Sequence, residues 1–290
     1  MILARPWWWV VWPTGQPAHA AGWTRTPGMG NAARVADFIK QNLAGSRFED
    51  VYLTDARFRD VDLKGARFNL VDLSGVTIRG ALVADVEISG EIENVRINGV
   101  DVVPLVEAEL NRRYPERAKM QPSDADGFRA AWDLLEPLWQ GTVERAARLD
   151  PALLHERVDG EWSFIETLRH LVFATDAWVS RAVLGEPAPW DSLDLPHDEM
   201  PDIPGVPRDL DARPSLDEVL VLRVDRQATV RRVLAGLTDE QLAGHTEPVL
   251  TPGYPESESF PLRRCLGAVL IEEWEHRQYA ERDLAVLETR

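Results

Sequence analysis

The residues best suited to chemistry lie near the C-terminus, in the run Glu-Glu-Trp-Glu-His at residues 272–276. The spacing of apolar residues predicts a helix over Leu262–Leu287. At about 100° per residue, His276 falls in the middle of its apolar stripe. Glu272 lies one turn earlier on nearly the same line, and Glu273 lies on the other flank. A carboxylate and an imidazole so placed can be two ligands of one metal ion, given a third from elsewhere.

A second helical segment carries His170, the candidate for that third ligand. Its helix face is otherwise formed by small residues, namely Ser163, Thr167, Ala174 and Ala177. Small side chains beside an inward-facing histidine leave room, so the interior of a helical bundle could hold a metal at this point.

Four long helical patterns must position these side chains. They run over about 124–149, 163–185, 215–237 and 262–287, and Pro137 is expected to kink the first. Ser163, with Glu166 three residues later, has the pattern of a capping box. The connection over 186–213 is long and rich in Pro and Asp, which favours a functional or covering loop. Four helices with two long crossovers predict an all-α four-helix bundle.

The motifs of these helices resemble the DinB-like four-helix superfamily, which includes mycothiol-dependent maleylpyruvate isomerases and mycothiol and bacillithiol S-transferases. The resemblance rests on Glu161-Trp162-Ser163 through His170, on Asp176-Ala177-Trp178, and on Glu272-x-x-x-His276. It implies that His170, Glu272 and His276 bind a divalent metal, zinc or alternatively nickel. Glu273 is the alternative to Glu272, because its angle to the stripe is no worse.

The N-terminal half has a different period. A Leu, Phe, Ile or Val recurs every five residues, at 48, 53, 58, 63, 68, 73, 78, 83 and 88. An internal repeat explains this spacing, whereas a helix or a strand does not. The pattern resembles the pentapeptide repeat family, and the resemblance implies an all-β, right-handed, four-sided β-helix. Such a column needs covered ends. Helical spacing over 31–43 and over 103–110 predicts the two caps.

These patterns predict the domain organisation. Residues 1–28 are expected to be a disordered extension, 29–116 the β-helix with its helical caps, 117–123 a linker, and 124–290 the four-helix bundle. On the last helix, a second apolar patch of Leu270, Ile271 and Trp274 suggests contact with another subunit, giving a homodimer, or with the repeat column.

The composition of the chain argues against several classes of function. Forty-eight acidic against thirty-two basic residues give a net charge of −16, which argues against nucleic-acid binding through a basic face. The single cysteine, Cys265, excludes an internal disulfide and fits a reducing, cytoplasmic compartment. No segment approaches the roughly 20 apolar residues of a membrane helix.

Two functions follow as hypotheses. The first is a metal-dependent transferase or isomerase that activates a low-molecular-weight thiol and acts on a small-molecule substrate. Three protein ligands would leave an open position, where a bound thiol becomes a nucleophile at neutral pH. The second is a non-catalytic binding or scaffolding protein, whose acidic repeat column recognises a protein partner. A third hypothesis, mimicry of DNA by the column, ranks below both, because a column of about three coils is short for imitating a DNA duplex.

Overall fold

The computed structural model describes residues 36–48, 51–68, 71–90, 92–198 and 200–290. Asp72–Arg290 belongs to one compact unit, and the described residues up to Val71 belong to a second. The extension expected over residues 1–28 lies outside the described residues.

A backbone turn recurs every ten residues in the repeat region. In each turn the amide N–H of the fourth residue donates to the carbonyl of the first, at 2.9–3.1 Å, in Leu43–Ser46, Leu53–Ala56, Leu63–Ala66 and Leu73–Val76. The third position has a positive φ in all four turns, and glycine occupies three of these positions because it adopts that conformation without strain. Bends at Lys40, Asp60 and Gly80 fall between the turns. Turns and bends together follow the five-residue period.

Little of the repeat region is strand. In the described residues the strands are β1, Arg96–Ile97, and β2, Val100–Asp101, which form one antiparallel pair. The apolar residues at the centre of the repeats stay half exposed, with Leu53 at 50%, Phe58 at 64% and Leu63 at 51%. The turns of a repeat are therefore present, whereas the buried interior expected of a β-helix is not seen here.

The prediction of a helix over 31–43 is wrong for residues 36–43, the part that the structure describes. These residues bend at Lys40 and lead into the turn that starts at Leu43. Phe38 and Leu43 are five residues apart and continue the period of the repeats. Over so short a stretch, a five-residue spacing also fits one face of a helix. The second helix expected at an end of the column is present as α1, Val103–Arg113.

The segment expected to be a linker is instead packed against the helices that follow. Residues Arg117–Met120 form a short 3₁₀ helix that contacts the first and last helices of the bundle, and Met120 is buried. Arg117 pairs with Glu107 of α1 at 2.6 Å. This segment therefore contributes to the bundle core.

The bundle helices match their sequence patterns closely. They are α2, Ala125–Ala146; α3, Phe164–Thr175, continued by a π-helical turn over Asp176–Arg181; α4, Leu216–Ala235; the short α5, Asp239–Leu242; and α6, Leu262–Leu287. Ser163 and Glu166 form the predicted capping box at the start of α3. The same motif, Ser215 with Glu218, begins α4. These caps satisfy amide groups that a helix start leaves without partners.

The apolar stripes of these helices meet in a core with two adjoining clusters. The predicted stripe of α2 is buried there through Phe128, Trp132, Leu135 and Trp139. Leu270 and Trp274 of α6 are also buried, at 1% and 4% exposure. Two residues of the patch expected to face another subunit or the repeat column are thus covered by the bundle's own helices, whereas the third, Ile271, is half-buried. Among the described residues, no helix has the length and apolar character needed to cross a membrane.

Candidate metal centre

The structure brings His170 of α3 together with Glu272 and His276 of α6. One possible ligand atom from each residue lies within 4.8 Å of the others. Oε2 of Glu272 is 3.4 Å from Nε2 of His170 and 3.2 Å from Nδ1 of His276. All three side chains are buried, at 3%, 3% and 5% exposure. The arrangement is a buried cluster of two imidazoles and one carboxylate.

Backbone carbonyls orient both imidazoles. Nδ1 of His170 lies 2.9 Å from the carbonyl oxygen of Leu195, and Nδ1 of His276 lies 3.0 Å from that of Glu272. A carbonyl can only accept a hydrogen bond, so these contacts favour a proton on Nδ1 in each ring. Nε2 is then the nitrogen with a free lone pair. Histidines that bind metals are usually fixed in this way.

These tautomers leave electron-rich atoms facing one another. Nε2 of His170 presents a lone pair toward Oε2 of Glu272, and this buried oxygen has no well-aligned hydrogen bond within the described residues. Two acceptors in contact away from water repel unless a cation or a proton lies between them. The residues present therefore fit a divalent metal, for which imidazole nitrogen and carboxylate oxygen are common ligands.

The pKa values of the three cluster residues depend on one another. Burial alone would raise the pKa of Glu272, but the close contact of its carboxylate with the two imidazoles outweighs that effect, and the pKa of Glu272 lies below its usual range. Burial lowers the pKa of His170. Burial also opposes the charged form of His276, but contact with Glu272 outweighs that effect and raises its pKa. The cluster thus favours a negative carboxylate next to a neutral His170.

The loop that supplies the Leu195 carbonyl is held in place by Arg169. Its side chain is fully buried and donates to the carbonyls of Leu193 at 2.8 Å and Asp209 at 2.7 Å. The long connection after α3 therefore does cover the cluster, as its length and composition predicted. Sequence patterns gave no sign of the Leu195 carbonyl itself, because a backbone acceptor has no residue-type signature.

Glu273, the alternative ligand, is engaged elsewhere. Its two carboxylate oxygens each accept a hydrogen bond from Arg223 of α4 at 2.7 Å. The indole N–H of Trp139 donates to its backbone carbonyl at 3.1 Å, and the Arg223 guanidinium lies 5.5 Å from the centre of the Trp139 ring. Three helices thus meet at Glu273, and its carboxylate is outside the cluster.

Aromatic side chains surround the two imidazoles. The ring of Trp162 is 4.6 Å from that of His170 and 6.1 Å from that of His276. Tyr279 meets His276 edge-on at 6.2 Å. The sequence points to Trp162 only as part of a family motif and gives it no role at the site. Its position just before the N-cap of a helix that carries a ligand could have indicated a place beside the site.

Cys265 takes no part in this cluster. It lies within the apolar core and is fully buried, and burial raises the pKa of its thiol to about 12. A thiol so placed is not a nucleophile at neutral pH.

A helical bundle with an inward His, Glu and His defines a class of helical proteins able to hold a metal. The family model described as the DinB superfamily matches residues 134–280, just over half of the chain. The chain therefore belongs to the DinB superfamily. A second model, for pentapeptide repeats, matches eight copies over residues 36–75, so the two families are joined in one chain. The comparison with curated proteins gave no match, and the comparison with solved structures gave none either.

Proposed function

We propose that this protein is a divalent-metal-dependent enzyme, a transferase or isomerase that activates a low-molecular-weight thiol and acts on a small-molecule substrate. The observation that supports the proposal best is the buried cluster of His170, Glu272 and His276, whose carboxylate oxygen has no aligned hydrogen bond. Membership of the DinB superfamily points in the same direction.

His170 and His276 would hold the metal through Nε2, and Glu272 through its carboxylate. Zinc fits two imidazoles and a carboxylate, and nickel is the alternative. Three protein ligands are typical of catalytic zinc sites, which keep one position for water or substrate, whereas structural sites use four. This ligand count favours a catalytic role for the site.

A divalent metal at this point lowers the pKa of a thiol that binds it, so that the thiolate forms at neutral pH. The chain's own residues provide the surroundings. The carbonyls of Leu195 and Glu272 hold the imidazoles in one tautomer, and Arg169 holds the covering loop over them. Burial excludes bulk water, which strengthens every electrostatic contact with the reacting group.

The same proposal includes the domain organisation, the cellular compartment and the oligomeric state of the chain. Within 29–116 the repeats close into a right-handed, four-sided β-helix that ends at α1. Residues 117–123 connect it to the bundle at 124–290 and pack against the bundle helices. The enzyme works in the cytoplasm, where a free, buried Cys265 is stable. It forms a homodimer, and the exposed Val221 and Val224 on α4, at 69% and 64% exposure, offer one apolar surface for it.

A second candidate is a binding or scaffolding protein. The observation in its favour is the exposure of large apolar side chains along the repeats, including Phe48 at 58% and Phe68 at 59%. A protein partner that covered them would bury a long apolar surface. Mimicry of DNA by the acidic repeats has less support than either of these two candidates.

Elemental analysis of the purified full chain tests the metal site. We expect about one zinc or nickel per chain, bound through the three cluster residues. His276→Ala should lose the metal. His245→Ala removes an exposed histidine outside the cluster and should keep it. Wild-type protein that takes up no divalent metal under any loading condition contradicts the proposal.

A conjugation assay then separates the enzyme from the scaffold. Metal-loaded protein is mixed with a panel of low-molecular-weight thiols and the electrophile 1-chloro-2,4-dinitrobenzene. An enzyme should accelerate loss of thiol over the protein-free rate, and His276→Ala should not. A protein that holds metal but accelerates no pairing of thiol and electrophile favours the scaffold.

A further inference from the structure

Trp162 is fixed beside the metal cluster by its neighbours in the chain. Ser163, the next residue, is the N-cap of α3, and its side chain and backbone are both tied to Glu166. Arg157 donates to Glu166 at 2.6 Å. Glu161, the preceding residue, is buried and pairs with Arg282 of α6. The indole is therefore held on a rigid backbone, with its ring 4.6 Å from that of His170.

The indole N–H of Trp162 is not used by the described residues. Nε1 of Trp162 is buried and has no hydrogen-bond partner in the described part of the chain. Leaving a buried donor without a partner is unfavourable, and most such groups are paired. By contrast, Nε1 of Trp132 donates to Glu136 at 2.8 Å, and that of Trp139 donates to the Glu273 carbonyl. A donor held rigidly and without a partner next to a cluster of ligands is suited to a bound molecule.

The seam between α3 and α6 leaves a small space on the same side. Thr167 lies one turn before His170, and Ala280 lies one turn after His276, so both are on the faces that carry the ligands. Together with Trp162 and Asp283 they line a cavity of about 10 Å³, close to the size that one water needs. The cavity provides space beside Trp162 on this seam, although His170, Glu272 and His276 do not themselves line it.

We propose that the Trp162 indole N–H donates a hydrogen bond to an oxygen of a small carboxylate or carbonyl compound bound at the cluster, and that this ligand lies along the seam between α3 and α6. The inference rests on the proposed function, since it requires a metal at the cluster. Trp162 then helps to select the substrate, because a ligand with an acceptor oxygen satisfies a donor that otherwise stays unpaired.

The test uses full-length protein loaded with Co²⁺, whose visible spectrum reports ligands that join the metal. Acetate is the probe with an acceptor oxygen, and imidazole is the matched probe that binds metals without one. Trp162→Phe keeps an aromatic ring and removes the N–H. Trp132→Phe is the control, because it removes an N–H that already has a partner.

We expect Trp162→Phe to weaken acetate binding about fivefold, the effect of one neutral hydrogen bond, and to leave imidazole binding unchanged. Trp132→Phe should leave both affinities unchanged. Equal acetate affinity in wild type and Trp162→Phe overturns the inference, and so does an equal loss for both probes, since that reports only the smaller ring. If wild-type protein binds no Co²⁺, the proposed function itself fails, and the inference falls with it.

Discussion

Arg223 and Glu273 form a buried ion pair with two hydrogen bonds, one residue along α6 from the candidate ligand Glu272. Both side chains are almost fully buried, at 3% and 1% exposure. The pair joins α4 to α6, and Trp139 adds α2 through the Glu273 carbonyl. Because successive side chains on a helix point about 100° apart, anchoring Glu273 toward α4 helps direct Glu272 toward His170 on α3.

The first prediction concerns this pair. Arg223→Met leaves the Glu273 carboxylate buried without its partner, and we expect the free energy of unfolding to fall by about 3–5 kcal/mol. Urea denaturation measures it. The double variant Arg223→Met/Glu273→Met should recover most of the loss, because it removes both charges. Arg231→Met breaks a more exposed pair with Glu136 and should have a much smaller effect. A double variant no more stable than Arg223→Met contradicts this account.

A second prediction follows from linkage between metal binding and folding. A ligand that binds only the folded chain stabilises it, so we expect Zn²⁺ to raise the melting temperature of the wild type and a chelator to reverse the rise. Glu272→Gln should weaken zinc binding at least tenfold, since even residues that only support a ligand commonly contribute that much. Glu275→Gln is the matched control on the same helix. Differential scanning calorimetry with and without zinc measures the shift, and an equal shift in wild type and Glu272→Gln argues against Glu272 as a ligand.

The elements of the bundle could be predicted because their signals are local. The apolar stripe of α6 predicted its bounds, Leu262–Leu287, and the Ser163–Glu166 pair predicted the start of α3. Local patterns also misled. The residues at 36–43 fit a helical face as well as a five-residue repeat, and the structure follows the repeat.

The partners of the site could not be predicted from local patterns. Glu272 and Glu273 are equivalent by angle on the helix, and the contact that distinguishes them comes from Arg223, which lies 50 positions away in the chain. The Leu195 carbonyl that orients His170 is a backbone group. The prediction that His170 lies beside His276 depended on the resemblance to a family. The periodicity of one helix does not determine which other helix that helix faces.

A third prediction concerns Gly253. A Cβ at this position would lie 2.6 Å from Cζ of Arg181. Arg181 cannot easily move, because its buried guanidinium donates to the carbonyls of Pro187 at 2.7 Å and Thr251 at 2.5 Å. We therefore expect Gly253→Ala to lower the free energy of unfolding by about 1–3 kcal/mol. Chemical denaturation measures the change.

Gly141 provides the opposite control for that substitution. It lies within α2, and a Cβ there would meet nothing within 4 Å. Gly141→Ala should stabilise the protein by about 0.5–1 kcal/mol, because alanine favours a helix interior. If both alanine variants change stability in the same direction, contact with Arg181 does not govern the effect at Gly253.

The last prediction is a dependence of stability on pH at Asp194, which lies in the covering loop and is fully buried. Burial raises its pKa well above the ordinary value of 3.8, and the nearby Asp176 carboxylate adds to this, against the opposing charge of Arg226. Oδ1 of Asp194 has no hydrogen-bond partner in the described part of the chain. The folded protein therefore holds a proton on Asp194 at pH values where the unfolded chain has released it.

The sign follows from proton linkage. The folded state binds more protons than the unfolded state above pH 3.8, so this group's contribution to stability is lost as the pH rises from that value toward the raised pKa. Asp194→Asn keeps the shape without the charge. We expect it to stabilise the protein at pH 7.5 by at least about 1 kcal/mol, since each tenfold change in proton affinity corresponds to about 1.4 kcal/mol. At pH 4.5 the gain should shrink. Urea denaturation at both pH values measures it, with the exposed Asp202→Asn as control. A difference from wild type that is the same at both pH values would show that Asp194 does not titrate on unfolding.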